Sequence, residues 1–360
     1  MVGRPRDRRA APRDRRPDRS TVTLPATEPG PDRRPGDGAA PRDVPGDWRP
    51  DVLGEDWEAL TLPLRPDEQG EGVATLVRRR SPRHRRAVLY VHGYVDYFFQ
   101  RHLGEAWEEM GYSFYALDLR AYGRSLLPHQ IPNYTTELAT HAEELELAVR
   151  LLRDAGHTVV VGHGHSTGGL ILSLWAHARR GSGVVDALVL NSPWFDLNRG
   201  WVDRVLTTRA VDVIGGVAPR VVVGQVSHHY GEGLHRDSGG AWDYDLTLKP
   251  HRGFGVRAGW IRSVRRAHHA VARGLAVDVP VLVCTSDATG PADRLHDALD
   301  RTDSVLAVEH ILERAPRLGP DVTVVQVPGG IHDLALSAEP ARRTYLDAIR
   351  TFLRERLPEA

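Results

Sequence analysis

A serine hydroxyl becomes a useful nucleophile only when a base removes its proton, and one stretch of this chain is built to present such a serine. In HTVVVGHGHSTGG, residues 157–169, the β-formers Thr158, Val159, Val160 and Val161 run into Gly162 and His163. Gly164, His165, Ser166, Thr167 and Gly168 follow, and then Leu170, Leu172 and Leu174 in a helix-compatible run. The pattern is G-x-S-x-G at a strand-to-helix junction, a nucleophile elbow. The turn is so tight that a Cβ at Gly164 or Gly168 would strike the neighbouring strand or helix, and Ser166 is expected in strained backbone that exposes its Oγ. His163 and His165, adjacent on such a turn, are expected to point away from the serine as packing or pocket-wall residues.

With the serine first in the chain, the base is expected on a loop after the final strand. His332 stands there, beyond VTVVQV and the turn PGGI and just before the last helix. The orienting acid has three candidates, Asp287, Asp293 and Asp303. Asp303 lies 29 residues before His332. That spacing leaves room for a helix of about three turns, a turn, a strand of about six residues and a short loop. Asp303 is therefore the expected acid, residues 286–302 an insertion, and Asp287 the reserve. Acyl transfer also needs two donors for an oxyanion. Thr167 N–H, at a helix start with its favourable dipole, is one. Tyr94 N–H, after His92 and Gly93, is the other.

These groups need a scaffold. Ala59, Thr61 and Leu64 suggest a first strand and Val73–Val77 a second, joined by PDEQGEG. Ala87–Val91, Tyr112–Leu119, Thr158–Val161, Asp186–Leu190, Pro280–Cys284 and Val322–Val327 read as further strands, the apolar runs suiting a parallel sheet buried on both faces. Helices are expected over Phe99–Met110, Thr136–Ala155, Val305–Leu312 and Tyr345–Leu353. Strands alternating with helices give an α/β fold with a mostly parallel sheet covered on both sides. The alternation breaks at residues 194–278, rich in Trp, His, Gly and Arg, which is expected to be an inserted, largely helical lid. The core is then 47–193 plus 279–360.

The first 50 residues hold ten of the 25 prolines and almost no large apolar side chains. They cannot bury enough surface to offset the entropy of ordering, so residues 1–46 are expected to be a disordered Arg/Pro-rich tail. Interleaved aspartates, and no aromatic residue before Trp48, argue against a nucleic-acid arm. The net charge of zero gives no global pull toward nucleic acid or an anionic surface. Of 47 basic residues only Lys249 is lysine. The single cysteine, Cys284, excludes an intramolecular disulfide and suits a reducing compartment. No apolar run has the ~18 residues of a membrane span. The expectation is a cytoplasmic protein with no stable membrane insertion, no cofactor and no metal; composition leaves the oligomeric state open.

On YVHGY (Tyr90–Tyr94), DLRAYGRS (Asp118–Ser125), VGHGHSTGG and GGIHD (Gly329–Asp333), the chain from about residue 57 onward resembles the α/β-hydrolases. Within them it is similar to the branch of lysophospholipases, monoacylglycerol lipases and serine aminopeptidase-like hydrolases. The resemblance implies Ser166 as nucleophile, His332 as base, Asp303 as acid, Asp118 and Arg120 as structural residues, and a lid that sets the substrate. The activity expected is that of a cofactor-independent serine hydrolase cleaving a carboxylic ester of a lipid-like or aryl alcohol, a small-molecule or lipid-like substrate, through an acyl-enzyme. An amide or peptide hydrolase would use the same triad, with a lid carboxylate such as Asp196, Asp237, Asp243 or Asp245 reading an amino terminus. A hydrolase-like scaffold that only binds is the third reading.

Overall fold

The computed structural model describes residues 43–197 and 208–358. Nine strands form the main sheet: β1 (Arg49–Asp51), β2 (Gly54–Asp67), β3 (Gly70–Arg79), β4 (Arg86–Val91), β5 (Tyr112–Asp118), β6 (Val159–His165), β7 (Ala187–Asn191), β10 (Val281–Ser286) and β11 (Val322–Val327). Their order is β1-β2-β3-β5-β4-β6-β7-β10-β11. Pairing is antiparallel from β1 through β5 and parallel from there on.

Side chains alternate across this sheet with the period of two that a strand imposes. Along β4, Ala87, Leu89 and Val91 join one apolar cluster and Val88 and Tyr90 the other. Each cluster is roofed by helices. On the first face lie α2 (Ala142–Asp154), with Leu145, Val149 and Leu152, and α3 (Thr167–Ala178), with Leu170 and Leu172. On the second lie α1 (Arg101–Glu109), with Leu103 and Trp107, and the closing helix Ala341–Arg356, with Tyr345, Ile349 and Phe352. The expected layered α/β architecture is the one observed. Because β4, β6, β7, β10 and β11 run parallel, the loops that leave their C-terminal ends gather at one edge, where α/β sheets place ligands.

Several boundaries differ from the sequence reading. The expected tail falls mostly outside the described residues, but its last four do not behave as a tail. Val44 is buried in the core, its carbonyl accepts from Trp48 Nε1, and Asp43 pairs with Arg78 at 2.6 Å. β1 was not foreseen, since RPD carries no alternation. The helix expected from Thr136 begins as a 3₁₀ turn, Leu138–His141, and becomes α-helical at Ala142. The helix expected from Val305 starts at Val308, because Asp303 Oδ1 accepts from the amides of Val305 and Leu306 and turns that segment into a loop.

The insert is not wholly helical. It contains α4 (Thr208–Val217), α5 (His229–Leu234) and α6 (Ala258–Arg273), and also a two-stranded antiparallel sheet of β8 (Val222–Gly224) and β9 (Val256–Arg257). α6 carries Trp260, Ile261, Val264 and Val271 into the main core, so the last part of the insert is core rather than lid.

Candidate active site

The elbow has the geometry its glycines imply. Ser166, between β6 and α3, sits at φ 51° and ψ −115°, a left-handed backbone that a non-glycine residue adopts only at a cost. The surroundings hold it there: Ser166 N–H donates to Asn191 O at 2.9 Å, and Trp194 N–H donates to Ser166 O at 3.1 Å. A Cβ on Gly164 would lie 2.7 Å from Gly169 Cα and N. One on Gly168 would lie 2.3 Å from the Val91 carbonyl oxygen. Neither position has room for a side chain.

His332 stands on the loop after β11. Its Nε2 is 3.0 Å from Ser166 Oγ and its Nδ1 is 2.9 Å from Asp303 Oδ2. All three residues are buried, Asp303 completely. A carboxylate accepts only, so Nδ1 carries the proton and Nε2 accepts from the serine hydroxyl. Asp303 Oδ1 is occupied by Val305 N–H and Leu306 N–H, so the carboxylate is fixed through both oxygens. Asp303 N–H donates to Ala288 O and Gly290 N–H to Asp303 O, so beyond the end of β10 the two ends of the 290–302 detour are pinned together. Asp287, the reserve acid, accepts from Gly329 N–H at 3.0 Å and so braces the loop that carries His332 instead of its ring. Asp293 does not line the cavity beside the serine.

Tyr94 and Thr167 both line that cavity. Among the described residues neither backbone N–H donates a hydrogen bond. Gly93 lies so close to the elbow that a Cβ there would sit 3.2 Å from Ser166 Cβ. His92 staples this loop: its Nε2 accepts from Leu119 N–H and its Nδ1–H donates to Gly93 O.

The two elbow histidines divide as wall and core. His165 lines the cavity, with its ring 4.9 Å from that of His332. Burial and the neighbouring His332 hold its pKa below the usual histidine value, against the opposing pull of Asp333. His163 lies in the core, where Nδ1 accepts from Trp107 Nε1 and Nε2–H donates to the Tyr345 hydroxyl; burial lowers it to about 3. Asp118 accepts from Phe98 N–H and pairs with Arg124, while Arg120 is buried among Glu144, Glu143 and Asp67. Asp118 thus braces the loop before α1, and Arg120 ties the segment after β5 to α2 and the end of β2.

Three further residues, Tyr230, Asp333 and Lys249, complete the surroundings. Tyr230, on α5, accepts from Asp333 N–H at 2.9 Å and sets its ring edge against His332. Asp333 is bound by Gln100 Nε2 and Asn191 Nδ2. Its burial would raise its pKa, but His165, Lys249 and these hydrogen bonds together hold it below the ordinary carboxylate range. Lys249 pairs with Asp96 at 2.5 Å, and both line the cavity. The remaining wall is mostly apolar, including Val95, Trp194, Val226, Tyr244 and Leu306. Two groups of described residues have ion-ligating spacing, His228–His229–Glu232 on the insert and Asp96–His165–Asp333, the first two of which line the cavity; in the second group, Lys249 already supplies positive charge to Asp96.

The family described as Serine aminopeptidase, S33 (Hydrolase_4) matches residues 82–339. The chain belongs to this family. Its hydrolase fold is shared by solved structures of low identity. A soluble variant of monoglyceride lipase from Saccharomyces cerevisiae, in complex with a substrate analog, superposes with a TM-score of 0.61 at 14% identity, covering 82% of this chain and 96% of that one. Paleococcus ferrophilus monoacylglycerol lipase gives 0.54 at 18% identity, covering 75% and 94%. A structure described as a lipase in its open form gives 0.56 at 15%, covering 82% and 98%. Among curated proteins none matches. No helix among the described residues is long and apolar enough to cross a membrane.

Proposed function

We propose that this hydrolase is a serine esterase that cleaves a carboxylic ester of a lipid-like or aryl alcohol through an acyl-enzyme. The observation that carries this reading is the unbroken hydrogen-bond chain from Ser166 Oγ through His332 to Asp303, at 3.0 and 2.9 Å. In the proposed reaction His332 Nε2 takes the serine proton as Oγ attacks the ester carbonyl. Asp303 holds the imidazole in the required tautomer and stabilises the imidazolium that forms. Tyr94 and Thr167 N–H groups receive the oxyanion. His332 then returns the proton to the leaving alcohol, and water repeats the sequence to free the acid.

The mostly apolar wall favours an apolar acyl or alcohol group. Recognition of an amino terminus by the insert finds no support: among the described residues, Asp196, Asp237, Asp243 and Asp245 all lie outside the cavity. Asp196 instead pairs with Arg314, and Asp243 with Arg236. The free, built nucleophile–base pair likewise speaks against a scaffold that only binds. A panel of p-nitrophenyl esters of increasing chain length beside aminoacyl p-nitroanilides, each with Ser166→Ala as control, tests the reading. Hydrolysis of the esters that disappears in the variant is expected. Cleavage of the anilides alone, or ester cleavage that survives in Ser166→Ala, would overturn it.

A further inference from the structure

The loop after β4 also contains a residue at positive φ, and it is a branched one. Val95 has φ 52°, a left-handed conformation that a Cβ-branched side chain strongly disfavours. It stands between Tyr94, the proposed oxyanion donor, and Asp96. Strain of this kind persists only where the surroundings over-determine it. Three restraints do so here. The Tyr94 ring stacks on Trp260 at 3.9 Å and 25°. Gly253 abuts Val95 so closely that a Cβ there would lie 3.0 Å from Val95 Cγ2. Asp96 Oδ1 lies 2.5 Å from Lys249 Nζ. Trp260, Gly253 and Lys249 all come from the insert.

The ion pair is the strongest of the three in its chemistry. Asp96 is almost fully buried, and its Oδ2 has no hydrogen-bond partner among the described residues, so the ammonium is its compensating charge. Nζ also sits over the Phe99 and Tyr244 rings, at 5.4 and 5.7 Å. A compact ammonium suits that enclosure; a planar guanidinium fork needs more room and more acceptors. All the other 46 basic residues of the chain are arginines.

We infer that Lys249 is a positioning residue: through Asp96 it holds the left-handed turn at Val95 and so keeps Tyr94 N–H aimed at the oxyanion. This rests on the proposed acyl transfer with Tyr94 as donor. The insert would then do more than shape the substrate space, because it would complete the electrostatic part of the catalytic apparatus. An interaction that matters only when the oxyanion exists lowers kcat when lost and leaves KM nearly unchanged.

Lys249→Met removes the ammonium but strands the buried Asp96 carboxylate, so the single variant is expected to lose stability as well. Asp96→Asn/Lys249→Met removes both charges and is expected to recover the melting temperature. Both variants are expected to lower kcat by about 10–100-fold with KM within about twofold, the range expected for a misaimed oxyanion donor. A trifluoromethyl ketone, which forms a tetrahedral adduct with the serine, should bind more weakly by the same factor. Recovery of kcat together with stability in the double variant would overturn the inference. So would a change confined to KM, which would make Lys249 a substrate contact. Failure of the underlying reading looks different: wild-type protein would then neither hydrolyse esters nor react with a fluorophosphonate at Ser166.

Discussion

Gly168→Ala tests the elbow through a single methyl group. The added Cβ would lie 2.3 Å from Val91 O, 2.5 Å from His92 O and 2.8 Å from Val91 C. Each distance is about 1 Å short of ordinary contact. All three atoms are backbone, so no rotamer change relieves the clash, and either α3 or the end of β4 must move. Overpacking of this kind costs about 1–3 kcal/mol, and the absence of a flexible neighbour puts this case toward the upper end. The displacement falls between Ser166 and the loop carrying Tyr94, and a shift of about 1 Å at such a place costs about 10²-fold in rate. Gly72→Ala is the control, because its Cβ would meet only Gln130 Nε2 at 3.7 Å. Urea melts and kcat on an ester, measured where each variant is fully folded, read both effects. Gly168→Ala within about 0.5 kcal/mol and twofold of wild type would refute the close approach on which the elbow assignment depends.

Asp303→Asn should lower kcat by about 10⁴-fold, and Asp287→Asn by less than about tenfold, because only Asp303 reaches the imidazole; equal losses would reassign the acid. Tyr230→Phe leaves the Asp333 amide without its acceptor and should cost about 1–2 kcal/mol and lower kcat, read by melts and steady-state kinetics; no change in either would detach α5 from the base. Burial lowers His163 to about 3 and His268 to about 4, so both stay neutral in the folded protein while the unfolded chain protonates near 6.5. Their stability contribution is therefore complete above pH 6.5 and is lost as pH falls toward the folded values. Each should remove about 2 kcal/mol between pH 7.5 and 5.0 in urea melts, and His268→Gln should reduce the total drop, to which the buried His157 also contributes, by about that amount. A flat profile would contradict this.

Much of the site could be read from residue types because tight turns and single-purpose groups leave signatures. G-x-S-x-G marks its own backbone, and only a short loop separates β11 from His332. Asp303 was reachable through the lengths of the elements that had to fit before His332, even though the detour from 290 to 302 hid it. Lys249, Tyr230 and Asp333 were missed for one physical reason: they act by meeting distant residues in space. Lys249 pairs with a residue 153 positions away and Tyr230 with one 103 away. Asp333 does sit in GGIHD, and its place directly after the base was the one available hint. The same limit applies to the fold. Buried strands such as Ala87–Val91 announce themselves by continuous apolarity, whereas β1 and the β8–β9 pair are too short to show a period. α6 has a clear apolar face, but its membership of the core depends on where the insert docks.

The decisive property of the site is whether the imidazole at 332 makes the hydroxyl at 166 reactive. Intact-mass analysis after incubation with a fluorophosphonate measures this. One adduct per chain is expected, mapping to Ser166 on digestion, absent in Ser166→Ala and slowed by at least about 10³-fold in His332→Ala. No adduct on the folded protein, an adduct at another residue, or undiminished labelling without His332 would contradict it.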